Sequence, residues 1–119
     1  RGVILVDTTI WIDHFRRGDA RLIGLLEQGI VASHPMIRGE LAVGSLSARD
    51  TVLGLLADLP AVVRADDDEV LELIERRSLH GRGLGFVDAH LLASCLLTPG
   101  TRLWSRDRRL TAAGRELGV

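Results

Sequence analysis

Four acidic residues in this 119-residue chain could work together. Asp7 directly follows the apolar run Val3-Ile4-Leu5-Val6. Glu40 lies within the helical pattern after Pro35, beyond its first turn. Asp88 opens the apolar stretch of the segment GFVDAHLLAS, and Asp107 follows the run Arg102-Leu103-Trp104-Ser105. Carboxylates packed a few ångströms apart repel one another and cannot all stay ionised without a counter-charge. A hard divalent cation removes that conflict. An all-oxygen ligand set suits Mg²⁺ or Mn²⁺, whereas Zn²⁺ wants His or Cys partners. Water held on such an ion can attack a phosphodiester.

Each acid also has a plainer reading. Asp is a favoured helix cap, and acids suit first turns. On local grounds Asp7, Asp88 and Asp107 are evenly balanced between cap and functional group. Glu40 is more informative, because a mid-helix Glu has no capping role.

Other chemistries find little support. His14, His34, His80 and His90 are scattered without metal-ligand spacing. There is no Gly-x-Ser-x-Gly, and the glycines at 81, 83 and 85 make no phosphate loop without a Lys. All 15 basic residues are Arg, so Schiff-base chemistry is excluded. Cys95 sits in an apolar helical pattern and reads as a reduced core residue.

The elements that must position the acids alternate. Strands are expected at Val3–Val6, Ile30–Ala32 and Arg102–Ser105, with a weaker one at Pro60–Val63. Helices are expected from Thr8 to Gly18, over Ala20–Gln28, from Pro35 to Val43, after Ser47, from Asp66 to about Ser78, over Val87–Leu97 and over Asp107–Leu117. Ser47 with Asp50 resembles a capping box. This order gives an α/β domain with a mainly parallel sheet and helices on both faces, in which ligands bind beyond the carboxyl ends of the strands. Length and 46% hydrophobic content fit one domain, residues 1–119, with a real core. A net charge of −1 excludes a generally basic nucleic-acid binder. Any polyanion must then be held by metal or by local Arg clusters, of which there are two: Arg16, Arg17 and Arg21, and Arg102, Arg106, Arg108, Arg109 and Arg115. The run Val3–Val6 is too short for a signal peptide or membrane helix, which points to a cytoplasmic protein without membrane association.

Four segments, VDTTIWIDHFR, MIRGELAVG, GRGLGFVDAHLLAS and LWSRDRRL, resemble the PIN-domain ribonucleases, most closely the VapC toxins of bacterial toxin–antitoxin pairs. They stand in family order and span almost the whole chain. The resemblance implies a three-layer α/β/α sandwich with a mainly parallel sheet of four to five strands. It implies that Asp7, Glu40, Asp88 and Asp107 bind Mg²⁺ or Mn²⁺, with Thr8 or Thr9 and Ser105 steadying the carboxylates or a water. Trp11 matches an apolar position behind the first acid, and His90 stays outside the site. The implied activity is endonucleolytic RNA cleavage by a metal-activated water. The implied partners are a VapB-like antitoxin and a second copy of the chain, in a homodimer that assembles into a larger toxin–antitoxin complex. The apolar helices over Arg49–Leu59 and Ala20–Gln28 are candidate walls of the antitoxin groove. Two alternatives remain: a non-toxin PIN nuclease of RNA processing, and a Mg²⁺-binding phospho-accepting signalling domain, against which the missing Lys counts.

Overall fold

The computed structural model describes residues 2–119. Strand β1 (Val3–Val6) lies at the centre of a parallel sheet, between β2 (Val31–Ala32) and β3 (Thr101–Trp104). Ile4 pairs with Val31 on one side, and Val3 to Val6 pair with Thr101 to Trp104 on the other. Leu5 and Val6 are fully buried, as expected for a central strand covered on both faces. Seven α-helices complete the fold: α1 (Thr8–Arg17), α2 (Ala20–Glu27), α3 (Pro35–Val43), α4 (Arg49–Asp58), α5 (Asp67–Arg76), α6 (Phe86–Leu97) and α7 (Arg108–Leu117).

The sheet has three strands among the described residues, not the four to five expected. The segment Pro60–Val63 makes only one parallel bridge, Ser33 with Ala61. Ser33 N–H donates to Pro60 O at 2.8 Å and Val62 N–H to Ser33 O at 3.2 Å. The ladder then stops. Pro60 has no N–H to give, and on the other side the chain of β2 leaves the sheet where Pro35 opens α3.

Helix α6 is the core element. Ala89 to Cys95 are all buried, nearly two full turns, so this helix has no solvent face there. It packs against α5, β3 and α7. Burial pushes the Cys95 thiol up to about 12, which keeps it protonated and unreactive, in line with its reading as a core residue. Trp11 is buried too, its ring stacked on Phe15 with centroids 5.9 Å apart. Helix α5 starts with a complete capping box, Asp66 with Glu69.

Helix α4 departs from expectation. The Ser47–Asp50 capping box does not form. The N-cap is Ala48, which makes no side-chain cap and sits in the left-handed region at φ 52°. A residue with a Cβ is disfavoured there by about 1 kcal/mol, whereas Gly is not. Ala48 is exposed. Ala48→Gly is therefore expected to stabilise the chain by roughly 0.5–1 kcal/mol, read as a higher urea midpoint at unchanged m-value. A lower midpoint would show that the left-handed cap is not a source of strain.

Candidate metal centre

The site begins with Asp7, where β1 passes into α1. Its position is an N-cap, but its carboxylate makes no cap bond. Instead Oδ2 accepts from Ser105 Oγ at 2.7 Å and from Thr9 Oγ1 at 2.9 Å. Thr8 Oγ1 stands 3.5 Å from Oδ1, too far for a strong bond. Of the two threonines, Thr9 is thus the one that holds the carboxylate. Asp7 is 5% exposed and has no Arg among its hydrogen-bond partners.

Ser105 joins two acids. Its hydroxyl donates to Asp7 and accepts the Asp107 N–H at 3.0 Å. Asp107 is the N-cap of α7, and its Oδ1 accepts from the Arg109 and Leu110 N–H groups at 2.9 and 3.1 Å. The Arg106 N–H donates to Thr9 Oγ1 at 3.0 Å, which ties the β3–α7 turn to α1. Sequence reading missed that last contact, whose donor is a backbone N–H 97 residues from the threonine and so leaves no local signal.

Asp88 lies in the first turn of α6 rather than at its cap. Gly85 occupies the N-cap, and its N–H donates to Asp88 Oδ2 at 2.9 Å. The Gly85-x-x-Asp88 spacing, that of a capping box, was the available clue. The loop before it is clamped by α7, through an Arg82–Glu116 ion pair and through Arg109. Gly83 has φ 76°, and a Cβ there would come within 2.7 Å of the Arg109 side chain. Only glycine satisfies both demands.

Cap and site roles therefore do not compete. Among the described residues, Asp88 receives hydrogen bonds only on Oδ2 and Asp107 only on Oδ1. Each keeps one oxygen without a protein donor. Asp7 keeps Oδ1 nearly so.

Glu40 projects from α3, between the buried Ile37 and Leu41 on its own helix. Its carboxyl is raised above the ordinary value, first by lost hydration and then by the charges of Asp7 and Asp88. Asp88 is raised as well. Burial contributes most, Asp7 and Asp107 add to it, and the Gly85 hydrogen bond offsets part. No cation counts among the causes for either acid. The structure thus links Glu40, Asp7, Asp88 and Asp107 electrostatically, with Asp7 and Asp88 in the middle. It does not close them into a ready cage: among the described residues no three His, Cys, Asp or Glu side chains are gathered around one point. Like charges without a counter-ion favour such separation. Donor chemistry and unneutralised charge both fit a hard divalent cation.

Arginines do not fill that role. The two clusters separated in sequence meet at Trp104, with Arg21 4.4 Å and Arg106 5.8 Å from its ring centre. Arg106 is committed elsewhere, to Asp13 at 2.6 Å and Asp19 at 2.5 Å. His90 is turned away from the acids, with Nε2 2.9 Å from Asp67 Oδ1.

A cleft of about 530 Å³ opens beside Glu40, lined by Ile12, Phe15, Leu41 and Leu46 together with Arg16, Ser45 and Ser47. It lies between α1 and the α3–α4 turn, a different place from the faces of α2 and α4.

The raised acids set a sign for stability. Because the folded value of Glu40 is raised, ionising it works against folding. That cost is absent below its ordinary value of 4.5 and complete once pH passes the folded value. Metal-free Glu40→Gln is expected to be more stable than the parent at pH 7, by less than about 1 kcal/mol given partial hydration. The gap should close as pH falls toward 4.5, and Mn²⁺ should reverse it by stabilising the parent more. Thermal melts in EDTA and in Mn²⁺ across pH 4–8 check this; a parent more stable at pH 7 in EDTA contradicts it.

Comparison with known proteins agrees with this architecture. The PIN domain family pattern matches residues 4–116. Ribonuclease VapC32 of Mycobacterium tuberculosis, in two strains, is 54% identical over 117 residues, covering 98% of this chain and 94% of the relative. Ribonuclease VapC1 of Methanocaldococcus jannaschii is 26% identical over 118 residues, covering 98% of this chain and 84% of the relative. With a family match over nearly its whole length and a full-length relative at 54% identity, the chain belongs to the PIN domain family, among its VapC-type members.

Proposed function

We propose that this chain is the toxin of a type II toxin–antitoxin pair, an endoribonuclease that depends on Mg²⁺ and is held inactive by a VapB-like antitoxin. The observation that carries the reading is a set of coupled carboxylates with no cation of the protein's own, two of them raised above their ordinary values. The names of the relatives, both ribonucleases, supply the substrate class.

Asp7, Glu40 and Asp88 would hold Mg²⁺ or Mn²⁺, with Asp107 beside them. Such an ion would supply charge neutralisation at the phosphodiester and would acidify a water nucleophile. The rest is the work of the chain. Thr9 and Ser105 fix one oxygen of Asp7 by donating to it, which leaves the other for the ion. Gly85 does the same for Asp88 through its backbone. Thr8 contributes at most a weak bond. Arg21 and Arg109, which form no ion pair among the described residues, are suited to RNA phosphates. The cleft beside Glu40, with both apolar and polar walls, suits an antitoxin segment that would also block the acids. A homodimer, joined into a larger complex with antitoxin, belongs to the same reading. No helix among the described residues is long and apolar enough to cross a membrane.

RNA cleavage should stop in EDTA and return with Mg²⁺ or Mn²⁺. Asp7→Asn should lower kcat by roughly 10²–10³-fold, the scale for losing one preorganised electrostatic group, while circular dichroism stays unchanged. Cleavage that persists in EDTA, or a fully active Asp7→Asn, would refute the nuclease assignment. Expression of the chain alone should arrest growth and co-expression of the neighbouring small gene should relieve it; normal growth would favour an RNA-processing role.

A further inference from the structure

His34 is fully buried where β2 passes into α3, and no part of the mechanism above uses it. Its hydrogen bonds define one state. Nδ1 accepts the Met36 N–H at 3.0 Å and so caps α3. With Nδ1 an acceptor, the ring proton resides on Nε2. Nε2 is 3.0 Å from Ser94 Oγ, on α6, which is equally buried. A doubly protonated ring would set an N–H against the Met36 N–H. Burial first, then the neighbouring His90, Arg64 and Arg38, lower the His34 pKa to about 4, so the neutral ring prevails at pH 7.

The two helices joined by this ring are those that carry Glu40 and Asp88. Glu40 lies six residues after His34 on α3, and Asp88 lies six residues before Ser94 on α6. Six residues along a helix is about 9 Å. Helix α3 packs mainly on α4 and α1, whereas α6 packs on α5, β3 and α7. Neither has the other as a principal neighbour. Apolar packing alone sets no direction between two such helices. A buried hydrogen bond does.

We propose that His34 is a positioning residue: through its Nε2–H bond to Ser94 it fixes α3 against α6, and so fixes the distance between Glu40 and Asp88. This rests on those two acids sharing a metal, as argued above. Their mutual repulsion works to part the helices before the ion arrives, and the imidazole bond opposes it. Outer hydrogen-bond partners of metal ligands typically govern affinity by 10–100-fold; a link acting through two helices belongs at the lower end.

The test uses Mn²⁺ alone as probe, read by electron paramagnetic resonance, together with RNA cleavage kinetics. Ser94→Ala removes the acceptor with little change in volume. His34→Asn keeps an acceptor near the Nδ1 position for the cap but falls short of Ser94. Ser33→Ala is the control, since that neighbouring buried hydroxyl has no partner among the described residues. Both test variants should raise the Mn²⁺ Kd by roughly tenfold, and lower kcat while KM for RNA stays level. The double variant should be no worse than the poorer single one, because both remove one bond. The control should match the parent. Mn²⁺ affinity within twofold of the parent in Ser94→Ala overturns the proposal, as do additive effects in the double variant. Should His34→Asn not fold, Ser94→Ala decides alone. A parent chain that binds no Mn²⁺ sinks the metal-site reading itself, and this proposal with it.

Discussion

A carboxylate buried at the end of the central strand, with hydroxyls but no cation beside it, is the constraint around which this molecule is organised. Asp7 is withdrawn from water, and only Thr9 and Ser105 donate to it at short range. Neutral donors soften the desolvation of a charge but do not cancel it. The remaining charge is felt by Glu40 and Asp88, whose carboxyls it helps to raise. Carboxylate charge without a counter-ion at this edge of the sheet favours a cation.

Two of the acids are oriented by a second task. Helix starts need acceptors for their unpaired N–H groups. Asp107 meets that need with one oxygen and Asp88 meets it with one oxygen, so the capping bond orients the other. Asp7 differs. It occupies a cap position but spends no oxygen on the helix, and takes its orientation from Thr9 and Ser105, 98 residues apart from it in the second case. That difference explains why the first acid is the most buried of the four. Its fixation comes from the junction of β1, α1 and the β3–α7 turn, all of which must be in place together.

Positive charge is kept to the rim. Arg106, the basic side chain nearest this junction in sequence, is paired with Asp13 and Asp19 and lies against Trp104 beside Arg21. An arginine that reached Asp7 instead would satisfy its charge and close the site to a cation. The pairing with α1 and the α1–α2 turn thus does more for the site than its surface ion-pair energy, which is small for exposed groups.

Much of this was legible in the chain order. The continuous apolar run of β1, the proline and histidine that open α3, the acidic start of α5 and the largely apolar α6 follow from local physics, because periodicity, φ restriction and capping act within a few residues. So did the identities of the four acids as candidates, since a mid-helix Glu and three strand- or loop-end Asp residues form a pattern. Local rules failed where a distant group intervened. Pro60–Val63 reads as a strand, yet it pairs at a single bridge, because the segment it pairs with turns into α3 at Pro35. Ser47 and Asp50 read as a capping box, yet the chain enters α4 through a left-handed Ala48. The sequence by itself determined which side chains could bear the chemistry, because residue type sets charge and ligand character. Only the tertiary structure decided which of their oxygens stay free and that a buried His34 spans two of their helices, because hydrogen bonds between residues tens of positions apart exist only once the elements have packed.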